Sequence, residues 1–213
     1  MFKKTIKRCA EFDLRNYSPE ALRRIKKISM CAILIIPSDA QQEWYDAFSD
    51  INVTMCAEII RLGRNETVKN INGIGIIDDA SDSENSHFFV NGIAIIETKE
   101  KCPSVSVNGI CIKRESTVFN QKNINGKTFV MGDDTPYKIY SNKVSIDYGT
   151  VNNCNEGTLV IAGGDITIEN DVTEEMLLKK KLGFVTGKDI ICAGSVYGYV
   201  NANSQFGNRI IKR

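Results

Sequence analysis

The chain has 213 residues, 42% of them hydrophobic, and a formal net charge of +1 at pH 7. This length and apolar fraction can bury the core of one large or two small domains, and a charge near balance gives no global signal for nucleic acid or an anionic membrane. We therefore expect no nucleic-acid partner. We also expect no membrane span, because no apolar run approaches the roughly 20 residues that span a bilayer.

The N-terminal stretch and the cysteines bear on the cellular compartment. The opening residues "MFKKTIKRCAEFDL" carry charges but no following apolar run, so we expect no signal peptide. The seven cysteines are an odd number without a C-x-x-C pair, and several lie in apolar runs, where a free cysteine behaves as a small buried hydrophobe. This pattern predicts reduced thiols and a cytoplasmic location. The cysteines expected to be buried in strands are Cys31, Cys56, Cys111 and Cys192.

The first predicted helix covers residues 18–28, "SPEALRRIKKI". Ser18 is its N-cap, and Pro19 takes the first helical position. The apolar residues that recur at helical spacing are Leu22, Ile25 and Ile28. We expect this helix to lead into the apolar strand "MCAILII".

Two more helices are predicted, one toward each end of the chain. In "PSDAQQEWYDAFSD", Asp39 and Gln42 have the spacing of a capping box. Its apolar face consists of Ala40, Trp44 and Phe48. In "ENDVTEEMLLKKKLG", Asp171 is the predicted cap and Gly183 ends the helix. Its apolar patch consists of Met176, Leu177 and Leu178.

One short phrase recurs through the centre of the chain. It reads "INGIGII", "VNGIAII", "VNGICI" and "INGKTFV", at spacings of 19, 17 and 17 residues, from the starting residues Ile71, Val90, Val107 and Ile124. Looser copies, "IDYGTV", "IAGGDITI" and "VTGKDII", begin at residues 146, 161 and 185. Short apolar runs of this kind indicate strands with at least one buried face. An equal phrase that returns after one turn of chain is what stacked parallel strands need.

The Asn-Gly pair in this phrase has two interpretations. It is the strongest hairpin-turn dipeptide, but a hairpin array reverses the strand direction each time, and equal phrases would then not stack. In parallel strands the amides can bond along the stacking axis, and each following glycine supplies left-handed backbone for a corner. The predicted ladder runs through Asn72, Asn91, Asn108 and Asn125. We expect it inside the coils, so that Asn108→Leu costs about 1–3 kcal/mol.

These observations predict a mainly β fold, a right-handed parallel β-helix (solenoid) with strand-helix units toward both ends. The coils vary in length and have no six-residue period, which favours the right-handed form over the left-handed one. We assign a single solenoid domain to residues 1–213. Its parts are N-terminal α/β capping coils at 12–64, plain β-helix coils at 65–168, and a C-terminal α/β coil with a final strand at 169–213.

The central coils, residues 71–151, resemble the bactofilins, a family of bacterial polymer-forming β-helix proteins. The resemblance rests on "VNGIAII", "VNGICI" and the short coil spacing, and it implies a β-helix that self-associates. In this chain, however, predicted helices cover the N-terminal coils, and charges in the final strand discourage edge-to-edge growth. Those charged residues are Arg209, Lys212 and Arg213. We therefore expect a monomer or a small homo-oligomer and no filament.

Residues with catalytic or metal-binding chemistry are sparse. His87 is the only histidine and is expected at the surface or at a strand edge, without triad partners. One loop carries the four carboxylates of Asp78, Asp79, Asp82 and Glu84. Carboxylates can hold Ca²⁺, but the order of an EF-hand is missing, so a solvated loop is favoured and cation binding stays an open alternative.

Three further patterns are interpreted as structural. Gly163 and Gly164 lack the phosphate-loop sequence and fit a coil corner. Tyr197 and Tyr199 alternate, so a shared face could bind sugar rings or a protein, although core stacking is more usual. The acidic residues near equivalent corners, which we do not expect to align on one position, are Asp147, Asp165 and Asp189.

The sequence thus predicts no catalytic, cofactor-binding or metal-binding residue, and no cofactor. The predicted role is a non-enzymatic scaffold or assembly protein, whose rigid face binds a protein partner or a second copy of the chain. One alternative is a carbohydrate-binding or carbohydrate-active β-helix with a polysaccharide partner. Another is an accessory domain of a complex whose catalytic subunit is a different chain.

Overall fold

The structure is a computed structural model that describes residues 3–81 and 85–213. Strands make up 46% of it and helices 16%, so the fold is mainly β, and its sheets are parallel. The chain divides into two compact units, Met1–Thr67 and Val68–Arg213. No helix within the described ranges is long and apolar enough to cross a membrane.

The first unit contains two three-stranded sheets that take alternate strands of the chain. One sheet has the order β1-β3-β5, from Lys4–Lys7, Ile25–Ser29 and Asn52–Thr54. The other has the order β2-β4-β6, from Glu11–Asp13, Ile33–Pro37 and Glu58–Leu62. The helices α1 (Pro19–Arg23) and α2 (Gln42–Ser49) connect the strands. The core between them includes Leu14, Leu22, Ile28, Leu34 and Trp44.

The first helix is shorter than the sequence predicts. Ser18 is its N-cap, as expected, and its Oγ accepts the N–H of Ala21 at 3.3 Å. The helix ends at Arg23, whereas Ile25 and Ile28 belong to β3 and are buried in the core. Residues three apart share a helix face but lie on opposite faces of a regular strand. In β3 the pairing with β1 shifts register after Ile25, and this irregularity accounts for both isoleucines lying in the same core.

The second helix is present, but its predicted capping box is wrong. Its N-cap is Gln41, which makes no side-chain capping bond, and Asp39 lies outside the helix. Trp44 is buried, as expected from the apolar face, and its indole N–H donates to the carbonyl oxygen of Tyr17 at 2.9 Å. Packing of this aromatic face therefore sets the helix, with no help from a cap.

The second unit begins with one sheet of four long strands, which we call the central sheet. Its order is β7-β8-β9-β10, from Thr67–Ile77, Ser86–Ile96, Ser104–Arg114 and Asn120–Met131. Asn91, Asn108 and Asn125 occupy one register position across β8, β9 and β10. Parallel neighbours usually need connections of a dozen or more residues. Residues 97–103 and 115–119 suffice here because each long strand is bent.

The bend lies at the glycine of the recurring phrase, in the middle of each strand. Gly92 has φ 141° and Gly109 has φ 142°, in the left-handed region that L side chains avoid. A Cβ on Gly92 would also lie 2.1 Å from the carbonyl oxygen of Gly73. Both the backbone angle and the close approach of the neighbouring strand therefore require glycine.

Side chains of the central sheet alternate between two cores. One face is packed with Phe88, Val90, Ala94, Ile96, Val105 and Val107. On the other face, Ile93, Ile95, Ile110 and Ile112 pack against residues of a later sheet, namely Leu159, Ile161 and Val185. A strand with both faces buried has a continuous apolar sequence. The residues after the glycine of the recurring phrase, such as "IAII" in β8, have this pattern.

The rest of the second unit has two four-stranded sheets of short strands. The first has the order β11-β13-β15-β17, from Tyr137–Tyr140, Leu159–Ala162, Gly183–Thr186 and Ser204–Phe206. The second has the order β12-β14-β16-β18, from Val144–Ile146, Ile166–Ile168, Ile190–Cys192 and Ile210–Lys212. The helices are α3 (Tyr148–Asn152), α4 (Glu174–Lys180) and α5 (Tyr197–Ala202), with a 3₁₀ turn at Gly194–Val196.

Two helix boundaries differ from prediction in this region. Asp147, in the phrase "IDYGTV", is the N-cap of α3, so this helix lies within the stretch 65–168 that was predicted to hold plain strands. The cap of α4 is Thr173, and Asp171 instead accepts the N–H of Tyr148 at 3.2 Å. Lys181, with φ 50°, ends α4 in place of Gly183, which belongs to β15.

Candidate functional site

The asparagine ladder (Asn72, Asn91, Asn108 and Asn125) is present, on the outside of the central sheet. The Nδ2 groups of Asn91, Asn108 and Asn125 each donate to the Oδ1 of the asparagine on the preceding strand, at 3.4, 3.0 and 3.1 Å. All four side chains are exposed, so the prediction of a ladder inside the coils is wrong. The reason is the bend at the following glycine, which leaves this part of the outer face uncovered. The ladder is therefore a solvated row of amides at a fixed spacing.

A groove of about 490 Å³ runs beside the ladder. Two rows of glycines line this glycine groove: Gly73, Gly92, Gly109 and Gly126 in the central sheet, and Gly163, Gly187 and Gly207, which directly follow β13, β15 and β17. Lys127 and Lys188 also line it. Ile93 and Ile110 add apolar surface, and the polar groups that line the groove are main-chain, amide and ammonium groups, which can hydrogen-bond to another molecule.

Strand β10 forms one edge of the central sheet. In the part of the chain that the structure describes, it pairs with β9 alone. Most of its twelve side chains are exposed, including those of Lys122 and Thr128, and it carries no acidic residue. A long edge strand offers free N–H and C=O groups, and lysines on such an edge restrain uncontrolled pairing.

His87 lies in the interior, which corrects the prediction of a surface position. It is the second residue of β8 and only 1% exposed. A ring nitrogen, Nδ1, is 2.8 Å from the Oγ of Ser104, its register partner on β9. The polar pair stands in an apolar region, so its hydrogen bond satisfies groups that would be costly to bury alone.

In the acidic loop, the carboxylates of Asp78 and Asp79 accept hydrogen bonds from main-chain N–H groups. Asp79 accepts the N–H groups of Lys99, Glu100 and Lys101 at 3.0–3.1 Å. The hydrogen bonds from Lys101 and Lys99 hold the pKa of Asp79 below its ordinary value. Asp78 accepts the N–H groups of its own turn. Asp82 and Glu84 lie outside the described residues, and among the residues that are described there is no cluster of three or more acidic, histidine or cysteine side chains placed to hold a metal ion.

The tyrosine pair does not form a shared face. "SVYGYV" folds as a 3₁₀ turn followed by α5, where residues two apart point in different directions. Tyr199 is buried, and its hydroxyl donates to the carbonyl oxygen of Leu182 at 2.9 Å. The Lys212 ammonium lies 3.9 Å from the ring centre of Tyr197. Neither ring is presented for stacking on a sugar.

The remaining pairs noted in the sequence are structural. A Cβ on Gly163 would lie 2.4 Å from the carbonyl oxygen of Ser141, so close packing requires glycine there. Asp165 and Asp189 precede the paired residues Ile166 and Ile190, and the Asp189 N–H donates to the Asp165 carboxylate at 3.2 Å. Asp165 and Asp189 thus align with each other, whereas Asp147 caps α3, so the three residues do not share one position, as predicted.

One polar network escaped the sequence analysis. The Nε of Arg114 donates to Glu97 at 2.6 Å, and the Tyr137 hydroxyl donates to the other carboxylate oxygen at 2.9 Å. Burial, and next the hydrogen bond to Glu97, raise the pKa of Tyr137 to about 12. Arg114 also donates to the carbonyl oxygen of Asp133 at 2.6 Å, which ties down the next turn. Glu97 and Arg114 are 17 residues apart, the spacing of the phrase, and that was the available signal.

The prediction that all cysteines are free thiols is wrong. Cys9 and Cys31 form a disulfide. Cys56 is half-buried and Cys102 is exposed, while the buried free cysteines are Cys111, Cys154 and Cys192. The disulfide could not be derived from spacing, because pairing depends on which turns the fold brings together.

The ladder, the groove and strand β10 together form an outward face of the central sheet, whose polar groups are amides, peptide groups and lysines. Its chemistry suits hydrogen bonding to another molecule. No protein-family model, no curated protein and no solved structure matches this chain.

Proposed function

We propose that this chain is a right-handed parallel β-helix that acts as a non-enzymatic scaffold or assembly protein. The observation that carries the proposal is the asparagine ladder, an exposed row of identical groups in register. Neighbouring strands lie about 4.8 Å apart, so such a row is a rigid surface with little side-chain entropy to lose on binding. The bactofilin-type likeness of the central strands belongs to the same proposal.

Strand connectivity supports the right-handed form. Strands β8, β9 and β10 follow one another along the chain and pair as parallel neighbours. Connections between parallel strands of one sheet are right-handed in about 98% of cases, because strand twist favours that hand. The proposed solenoid follows this general rule.

The proposed partner is a protein, either another chain or a second copy of this one. Strand β10 supports this, since an edge strand can accept main-chain hydrogen bonds from an extended segment. Its lysines favour a discrete complex over a filament. Light scattering across concentration should therefore give a constant small mass, and mass that grows without limit would contradict the discrete assembly.

A photo-cross-linking amino acid tests the proposed function. It is placed at Lys122 or Thr128 on β10, and at Leu178 on α4 as a control, because all three positions are exposed. We expect discrete protein adducts in cells from the two β10 positions and none from Leu178. An adduct of twice the chain mass identifies a second copy. Equal adducts from all three positions, or none from β10, would contradict the proposal.

The carbohydrate alternative loses its main support, because Tyr199 is buried and Lys212 covers Tyr197.

A cytoplasmic location stays part of the proposal and rests on the buried free cysteines, for example Cys111. Alkylation of acid-quenched cells tests it. In the cytoplasm the Cys9–Cys31 disulfide of the structure is expected to be reduced in most molecules, and a fully formed disulfide in cells would contradict that location.

A further inference from the structure

Three turns of the first unit place a cysteine at the same position. Each cysteine follows a non-glycine residue in the left-handed conformation and precedes an alanine. The left-handed residues are Arg8 (φ 59°), Met30 (φ 59°) and Met55 (φ 55°), and the cysteines are Cys9, Cys31 and Cys56. Left-handed backbone is uncommon outside glycine. The three turns therefore share one unusual conformation, and we call their cysteines the cysteine column.

Main-chain hydrogen bonds show that the three turns are stacked, with the same hydrogen bond between each turn and the next. The N–H of Ala32 donates to the carbonyl oxygen of Cys9 at 3.0 Å, and the N–H of Ala57 donates to that of Cys31 at 3.1 Å. The flanking strands keep the same register on both levels. Cys31 thus stands to Cys56 as Cys9 stands to Cys31.

The side chains repeat as well. The Sγ of Cys31 lies 3.9 Å from the carbonyl oxygen of Ser29, and that of Cys56 lies 3.8 Å from that of Thr54, in each case two residues earlier. The Cα atoms of Cys9 and Cys31 are 4.7 Å apart, within the range that a disulfide spans. The same main-chain hydrogen bonds and the same position of Sγ near a carbonyl oxygen recur in the next turn. We therefore infer that Cys56 lies where it can form a disulfide with Cys31, as Cys9 does.

We propose that the cysteine column is a thiol–disulfide exchange site whose ligands are small thiols and disulfides of the glutathione class. The Cys56 thiolate attacks the Sγ of Cys31, the Cys31–Cys56 bond forms, and the Cys9–Cys31 bond breaks. Cys9 leaves as a thiolate and takes up the proton that Cys56 released, so there is no net oxidation. The disulfide bond thereby moves by one turn of the chain, and the free thiol moves from Cys56 to Cys9.

Exposure determines where an external reagent enters. Cys31 is 2% exposed, whereas Cys9 and Cys56 are half-buried. Oxidised glutathione therefore reacts at an end of the column. The end thiolate takes one glutathione and releases the other as a thiolate, and Cys31 then displaces the bound glutathione to close the intrachain disulfide. Cys31 is the resolving residue in both directions.

The test uses the full chain, reduced and then treated with oxidised glutathione. Trypsin and a glutamate-specific protease, which cuts at Glu43 between Cys31 and Cys56, separate the three cysteines for mass spectrometry. We expect both linkages in the unaltered protein, Cys31–Cys56 alone in Cys9→Ser, and Cys9–Cys31 alone in Cys56→Ser. Cys31→Ser should lose both linkages and keep glutathione on the end cysteines.

The result that overturns the proposal is a Cys9→Ser protein in which Cys31 and Cys56 stay unlinked under these conditions. Circular dichroism of each variant in reducing buffer shows whether it is folded. If Cys9→Ser fails to fold, Cys9→Ala and reversible blocking of Cys9 in the unaltered chain provide the same comparison. Cys111, which is buried, serves as the internal control and should stay unmodified in every sample.

Discussion

The side-chain amide of Asn108 donates to the Oδ1 of Asn91 at 3.0 Å on the solvent side of the central sheet. Water can replace this bond when the amide is removed, so its net contribution to stability is small. Asn108→Leu should lower the free energy of unfolding by less than about 1 kcal/mol. Thermal and urea melts measure this, with Ile112→Ala as a buried control that should cost about 2–5 kcal/mol. A loss from Asn108→Leu as large as that of the control would contradict an exposed ladder.

The neighbouring residue should behave in the opposite way. Gly109→Ala forces a side chain into the left-handed region, with its Cβ 2.1 Å from the carbonyl oxygen of Gly92. Strain and overpacking together should cost about 3 kcal/mol or more. Gly194→Ala is the matched control, because a Cβ there meets no atom within 4 Å. Equal melts for the two variants would refute the close approach of the strands.

The Tyr137 hydroxyl provides a pH dependence. Its pKa is raised from the ordinary 10 to about 12 in the folded chain. The unfolded chain releases this proton first, so the stabilisation is fully present below pH 10 and is lost as pH rises toward 12. Tyr137→Phe should therefore show a smaller loss of stability across that window than the unaltered protein. Urea melts at several pH values test this, and parallel curves for the two proteins would contradict it.

Thiol reactivity should separate four of the free cysteines into two groups. Cys102 is exposed and should react quickly with an alkylating reagent in the native state. Cys111, Cys154 and Cys192 should react slowly, because they are buried, and burial raises the pKa of Cys111 to about 11. Timed alkylation with peptide mass spectrometry gives the four rates, and denaturant should make them equal. Similar native rates would show that the assigned burial is wrong.

Sequence patterns predicted the strand register better than they predicted the faces. The spacing of Asn91 and Asn108 in "VNG" identified residues that do pair across β8 and β9. The exposed side of the ladder could not be derived, since apolar residues follow the glycine on both faces of each strand. Only the packing of Ile93 against Ile161 shows which part of the outer face is covered.

The candidate sites show the same limit. The triplet "MCA" occurs twice in the sequence, at Met30 and Met55. That Cys31 and Cys9 lie close enough to bond depended on stacking, which spacing alone did not establish. His87 was misplaced for a related reason, because its partner Ser104, 17 residues later, becomes a neighbour only when the strands stack.

The central claim is that the strands of the central sheet are parallel neighbours in register, and not hairpins. Nuclear Overhauser contacts in an isotope-labelled sample test it most directly. We predict amide contacts from Asn108 to Asn91 and to Asn125 on the neighbouring strands, without close Hα–Hα pairs between β8 and β9. Strong Hα–Hα contacts between β8 and β9, which only antiparallel pairing brings about, would contradict the account.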